Sequence, residues 1–114
     1  IDWQRFQDGF GSCNTEQDYI DLMATCALDA STALRPSIET GFHAILSACV
    51  LHSHSVWVNL LTCSVEGRDI AHELFPDTQW IGYATPGLPL TLELARGLNG
   101  RNNGVFFCTN KVCL

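Results

Sequence analysis

Basic residues are scarce in this sequence. Its 114 residues include six lysines and arginines against twelve aspartates and glutamates, which gives a formal net charge of −6. Nucleic acids and anionic membranes bind proteins through clustered positive charge, so this balance argues against both as partners. No apolar run approaches the length of a membrane-spanning helix, and residues 1–30 do not show the pattern of a signal peptide.

A Cys-x-x-Cys spacing is also missing, although the chain contains six cysteines. Such pairs hold metals or carry redox chemistry, and dense, even sets of cysteines form the disulfide frameworks of small secreted proteins. Cys26, Cys49 and Cys63 instead fall within apolar runs, where free cysteine packs as a small hydrophobic residue. We therefore expect reduced, buried cysteines and a cytoplasmic protein.

The composition, with 46% hydrophobic and 16% charged residues, predicts one folded domain over residues 1–114. Apolar residues at helical spacing, together with turn signals, predict helices and strands that alternate along the chain. The expected helices are residues 14–31, 38–47, 56–63, 66–74 and 88–98, and the expected strands are residues 49–54, 79–84 and 105–108. This alternation indicates a layered α/β or α+β domain, in which residues 1–13 are weakly specified.

His52 and His54 are the most informative pair. At positions i and i+2 of a strand they would point to the same face and could supply two imidazole ligands to a divalent metal. Two histidines at this spacing on a strand are more commonly a half-exposed pair or a hydrogen-bonded structural pair than metal ligands. The other two histidines suit less specific roles, because His43 fits a structural position and His72 fits the surface of a helix.

Four segments give the pair a context. They are Arg-Pro-Ser-Ile-Glu-Thr at residues 35–40 followed by His43, His-Ser-His-Ser at residues 52–55, residues 66–77, and Tyr-Ala-Thr-Pro-Gly-Leu-Pro-Leu at residues 83–90. In order and rough spacing they resemble the class II aldolase/adducin family of zinc-dependent sugar-phosphate aldolases. The resemblance extends over about residues 35–108. It implies a single domain with a central, mainly antiparallel sheet flanked by helices.

The resemblance also implies a chemistry. Zn²⁺ held by histidines acts as a Lewis acid on a small sugar phosphate or hydroxy-carbonyl substrate, and a glutamate moves the proton. His52 and His54 would be the first two metal ligands, and Glu39 would be the catalytic residue. Considered without the resemblance, Glu39 fits a first-turn carboxylate that is stabilised by the helix dipole.

The chain departs from the family at two places. Lys111 occupies the position of the third histidine ligand, and lysine binds zinc poorly because it is normally protonated. Cys108 or Cys113 could offer a thiolate near that position, although a buried structural role suits each of them better. The sequence also lacks a match to the family's N-terminal phosphate-binding part.

Three functions follow as hypotheses. The first is a metal-dependent, aldolase-like lyase, and the second is a catalytically inactive scaffold or oligomerisation module with the same fold. The third is a related metal-dependent epimerase or dehydratase. Lys111 favours the second hypothesis, whereas the joint presence of Glu39, His52 and His54 favours the other two. Homo-oligomers are common among members of the family, so self-association is expected.

Overall fold

The computed structural model describes residues 1–29, 35–46, 49–101 and 104–109. Six helices and two strands lie within these ranges. In chain order they are α1 (Trp3–Phe10), α2 (Glu16–Thr25), α3 (Thr40–Ile45), α4 (Val56–Thr62), α5 (Gly67–Leu74), β1 (Thr78–Ile81), α6 (Leu88–Leu98) and β2 (Val105–Cys108).

The predicted fold class is wrong. Helices make up 50% of the described residues and strands 8%, and the sheet consists of β1 and β2 paired in parallel, not of a central antiparallel sheet. The expected strand at residues 49–54 has no regular secondary structure, and its Leu51 is 93% exposed. A strand needs a hydrogen-bonded neighbour, and an isolated extended segment gains little stability in water.

The two strands belong to one β1–α6–β2 unit. Thr78 pairs with Val105 and Ile81 with Cys108, and a parallel pair of this kind needs a crossover connection, which α6 provides. The predictions for α6 and β2 are confirmed to the residue, whereas β1 is shorter than predicted. Leu94 of α6 packs with Ile81 of β1, so burial joins the helix to the sheet.

Helix α2 begins at Glu16, two residues after the expected start, and a capping box marks that start. The Thr15 side chain accepts a hydrogen bond from the Asp18 N–H, and the Asp18 carboxylate accepts one from the Thr15 N–H, which is a complete capping box. Hydrogen bonds from the N–H groups of Asn14 and Thr15 lower the pKa of Asp18. The helix ends at Thr25, before the expected end at residue 31, which lies outside the described residues.

Helix α1 was not expected from the sequence, yet it completes the core. Asp2 caps it by accepting from the Arg5 N–H, and Phe6 is fully buried against Tyr19 and other residues of the first core cluster. That cluster comprises Phe6, Tyr19, Met23, Cys26, Ala44 and Leu88. A second cluster comprises Phe42, Ile81 and Leu94.

Helix α3 contributes to both clusters, through Ala44 to the first and through Phe42 to the second. A helix of only six residues gains little stability by itself, so packing on two sides is what fixes its position. Glu39, the predicted catalytic residue, is the N-cap residue of α3. The core therefore determines where this carboxylate lies.

The cysteine predictions have mixed outcomes. Cys26 is buried as expected, whereas Cys49 is exposed and Cys63 is half-buried. The five cysteines that the structure describes are unpaired, and Cys113 lies outside the described residues. Among the helices of the described ranges, none has the length and apolar character needed to cross a membrane.

Candidate metal centre

Glu39, His52 and His54 come together in the folded chain. One ligand atom of each side chain lies within 4.8 Å of the other two. The two histidines are the predicted metal ligands, and Glu39, which was predicted to be the catalytic residue, also offers a ligand atom here. The group joins the start of α3 to a segment that begins ten residues later. Glu39 is half-buried, and both histidines are exposed.

Hydrogen bonds on both sides of Glu39 fix its backbone. Its N–H donates to the Ser37 hydroxyl at 3.2 Å, and the Thr40 N–H donates to the Ser37 carbonyl at 2.9 Å. The sequence predicted a helix beginning at residue 38. Instead α3 begins at Thr40 with Glu39 as its cap residue, so the Glu39 carboxylate stands at the very end of the helix.

The side chain of Tyr19 links the backbone around Glu39 to the core. Its hydroxyl donates to the Ile38 carbonyl at 2.9 Å and accepts from the Gly41 N–H at 3.0 Å. It also shares a hydrogen bond of 3.3 Å with the Thr91 hydroxyl of α6. Burial raises the pKa of Tyr19, so the phenol stays protonated and holds the backbone on either side of Glu39.

The two histidines lie on an irregular segment, not on a strand. Residues 49–55 lead directly into α4, and Ser55 is the cap residue of that helix. The ring centroids of His52 and His54 are 4.9 Å apart. The ring centroid of His52 also lies 5.2 Å from that of the buried Phe42, with the two ring planes at 77°, so one of the two imidazoles packs against α3. The two imidazoles are therefore close because of the path of this irregular segment, not because residues i and i+2 of a strand share a face.

His43 borders the same group. It lies four residues after Glu39, and its ring centroid is 5.5 Å from that of His52. Burial lowers the pKa of His43 and the neighbouring His52 lowers it further, while Glu39 acts in the opposite direction. His72, in contrast, is exposed on α5, as the sequence analysis expected.

The donor set fits a zinc-like ion. Imidazole nitrogen and carboxylate oxygen are both zinc ligands, and three protein ligands with one open position are typical of catalytic sites. Bonds of about 2.0–2.2 Å in a tetrahedron place ligand atoms ~3.4 Å apart. Separations of up to 4.8 Å therefore require only a small movement, which the exposed imidazoles can make. The net charge of −6 also attracts a cation.

The other candidate ligands are not in this group. Cys108 packs at the end of β2 beside the second core cluster, and burial raises the pKa of its thiol, which favours the protonated form. Lys111 and Cys113 lie outside the described residues. Tyr83 and Leu88, from the segment at residues 83–90, line a different cavity of about 620 Å³.

Two residues of this region were not selected from the sequence. Tyr19 was assigned only to the apolar face of a helix, and its hydroxyl contacts join positions that are distant in sequence. Trp3 belongs to the unexpected helix α1 and lines the same cavity as Glu39. The sequence does contain a signal for α1, because Asp2 can cap a helix and Phe6 and Phe10 are at helical spacing. Gly9 and Gly11 weaken that signal, because glycine disfavours a helix.

Comparison of the chain with protein-family models, with curated proteins and with solved structures gave no match.

Proposed function

We propose that this protein binds one divalent transition-metal ion, zinc foremost, through His52, His54 and Glu39, and acts as a lyase on a small hydroxy-carbonyl compound. The observation that carries the proposal is the mutual distance of at most 4.8 Å among the three ligand atoms. The likeness to the aldolase/adducin motifs supports the lyase part, and the lack of a disulfide among the five described cysteines suits a cytoplasmic protein.

The chain's own groups have distinct roles in this proposal. His52 and His54 supply neutral nitrogen donors, and Glu39 supplies the third donor while its second oxygen can accept a proton from a substrate hydroxyl. When bound, the metal would supply Lewis-acid polarisation of neighbouring substrate oxygens. Tyr19 keeps the Glu39 backbone in place through its bonds to Ile38 and Gly41, so the carboxylate does not depend on a mobile loop.

We expect the purified protein, stripped with a chelator and then reloaded, to retain about one zinc per chain after gel filtration. The measurement is elemental analysis, followed by a titration in which Co²⁺ reports binding through its visible spectrum. Release of an aldehyde from a ketose, measured with loaded and stripped protein, tests the lyase part. Retention of less than about a tenth of an equivalent would contradict metal binding.

A scaffold or oligomerisation role remains the second candidate, because α4 exposes a wholly uncharged apolar face. Val56, Trp57 and Leu60 are all exposed there, and Leu51 lies just before the helix. Two copies that each carry a net charge of −6 repel one another least where neither surface is charged. A second copy of this chain is therefore the partner that we propose for this face.

Trp57→Lys should shift this self-association towards monomer, because it places a positive charge at the centre of the apolar face. Sedimentation velocity over a range of concentrations measures the effect. Leu28→Lys is the matched control, since Leu28 and Trp57 are each 78% exposed and Leu28 follows α2, away from α4 in the chain. Equal behaviour of the two variants would argue against the α4 face.

A further inference from the structure

A surface cavity of about 610 Å³ adjoins the candidate metal centre. Its walls include Trp3 and Gln7 of α1, Ser37, and Glu39, Thr40 and His43 at the start of α3. Glu39 belongs both to this cavity and to the group of metal ligands. A ligand bound in the cavity would therefore present some of its atoms to the metal centre.

The charge of the walls limits what can bind. Among the described residues that line the cavity there is no lysine and no arginine, and Glu39 contributes a carboxylate. Away from the metal, a phosphate group against these walls would meet the Glu39 carboxylate and no lysine or arginine side chain of the described residues. Sites for phosphate esters instead supply arginine, lysine or a row of backbone N–H groups. This cavity is poorly suited to a sugar phosphate.

The polar groups of the walls suit hydroxyl groups instead. The Gln7 amide is held in place, since its Nε2 donates to the Ala44 carbonyl at 2.8 Å. Ser37 and Thr40 bring hydroxyls that can both donate and accept, which is the pattern that sugar hydroxyls present in return. Trp3 is 49% exposed and offers a flat apolar surface, on which the C–H face of a sugar ring can pack.

We propose that this cavity binds a neutral sugar or polyol and discriminates against its phosphate ester. The apolar ring face lies on Trp3, hydroxyl groups bond to Gln7 and Thr40, and the hydroxy-carbonyl end reaches Glu39. This assignment rests on the proposed function, because Glu39 is shared with the metal centre. It narrows the substrate class from sugar phosphates and hydroxy-carbonyl compounds in general to uncharged hydroxy-carbonyl compounds.

The test is calorimetric titration of zinc-loaded protein, in phosphate-free buffer, with D-fructose and with D-fructose 6-phosphate, whose phosphate lies at the end of the molecule remote from the carbonyl and the metal. The two probes differ only in the phosphate. We expect D-fructose to bind at least about tenfold more tightly, a difference of roughly 1.4 kcal/mol. Equal or tighter binding of the ester, or no binding of either probe, would overturn the proposal.

A matched pair of variants tests the location. Trp3→Leu should weaken D-fructose binding about tenfold, because it removes the flat ring and leaves a smaller apolar side chain. Tyr83→Leu, which removes an aromatic ring of similar exposure (51%) from the wall of a different cavity, should leave D-fructose binding unchanged. An equal effect of the two variants, or none from Trp3→Leu, contradicts binding in this cavity.

Zinc analysis of the same samples separates the two proposals. If the wild-type protein retains zinc but prefers the phosphate ester, the ligand assignment fails and the metal site stands. If the wild-type protein retains no zinc, the proposed function fails and this assignment falls with it. Trp3→Leu should retain the wild-type zinc content, because Trp3 is not among the ligands.

Discussion

His52→Ala should reduce the zinc affinity of the protein by two to three orders of magnitude. A zinc site with four protein ligands contributes about 10–16 kcal/mol, so one ligand is worth roughly 3–4 kcal/mol. The change leaves His54 and Glu39, and two donors do not hold an ion against a chelator. Competition with a chromophoric chelator measures the affinity, and elemental analysis after gel filtration should find less than about a tenth of an equivalent.

His72→Ala is the control for this experiment. His72 is exposed on α5 and is not among the grouped ligands, so the variant loses the same side chain without touching the site. Its zinc affinity should equal that of the wild-type protein. Both variants should keep the wild-type melting temperature in the absence of metal, because the removed imidazoles are exposed. Equal zinc loss in the two variants would show that the bound zinc is not held at His52.

Part of the candidate site could be predicted from the sequence because it is local. His52 and His54 are separated by one residue, so their side chains can reach a common ion on a strand or on an irregular segment. The assumed strand was wrong, and yet the pairing of the rings at 4.9 Å was not affected. Glu39 lies thirteen residues before His52, and only the resemblance of residues 35–40 to an aldolase motif selected it.

The contacts that position the site could not be predicted in this way. The Tyr19 hydroxyl bonds to Ile38, Gly41 and Thr91, which are 19, 22 and 72 residues away along the chain. Periodicity assigns Tyr19 to a buried helix face and leaves the partner of its hydroxyl undetermined. The same limit applies to Trp3, since its place in the same cavity as Glu39 depends on how α1 packs against α3.

The fold shows the same division between local and distant signals. Helix α6 was predicted to the residue, because Gly87 and Asn99 stand at its two ends and Asn99 adopts the left-handed conformation that stops a helix. The antiparallel sheet was wrong, because pairing depends on a partner strand elsewhere in the chain. Residues 49–54 have β-forming Val50 but no neighbouring strand within the described ranges, whereas β1 and β2 meet through α6.

Gly41→Ala adds a single methyl group near the site, and we expect it to lower the stability of the protein strongly. Gly41 is buried in α3, where a Cβ atom would lie 2.6 Å from Cε2 and 2.7 Å from Cζ of Tyr19 and would overlap its hydroxyl. Alanine normally stabilises a helix by about 1 kcal/mol relative to glycine. Here we expect the opposite sign, with a loss of about 3 kcal/mol in the free energy of unfolding.

The Tyr19 ring has no space into which it could withdraw. It is fully buried, it meets the Phe6 ring edge-on at a centroid distance of 6.0 Å, and its hydroxyl is bonded to Thr91. The added methyl group must therefore displace α3 and break the hydrogen bonds of the Tyr19 hydroxyl to Ile38 and Gly41. Urea denaturation measures the loss, and the melting temperature should fall by roughly 10 °C.

Gly11→Ala provides the comparison that isolates the clash. A Cβ atom at Gly11 would meet no atom within 4 Å, and its φ of −62° is one that alanine adopts readily. This variant should change stability by less than about 0.5 kcal/mol or raise it slightly. Gly41→Ala should also weaken zinc binding, because Glu39 is the N-cap residue of the displaced helix. A Gly41→Ala protein with wild-type stability and zinc affinity would mean that Tyr19 does not position the carboxylate.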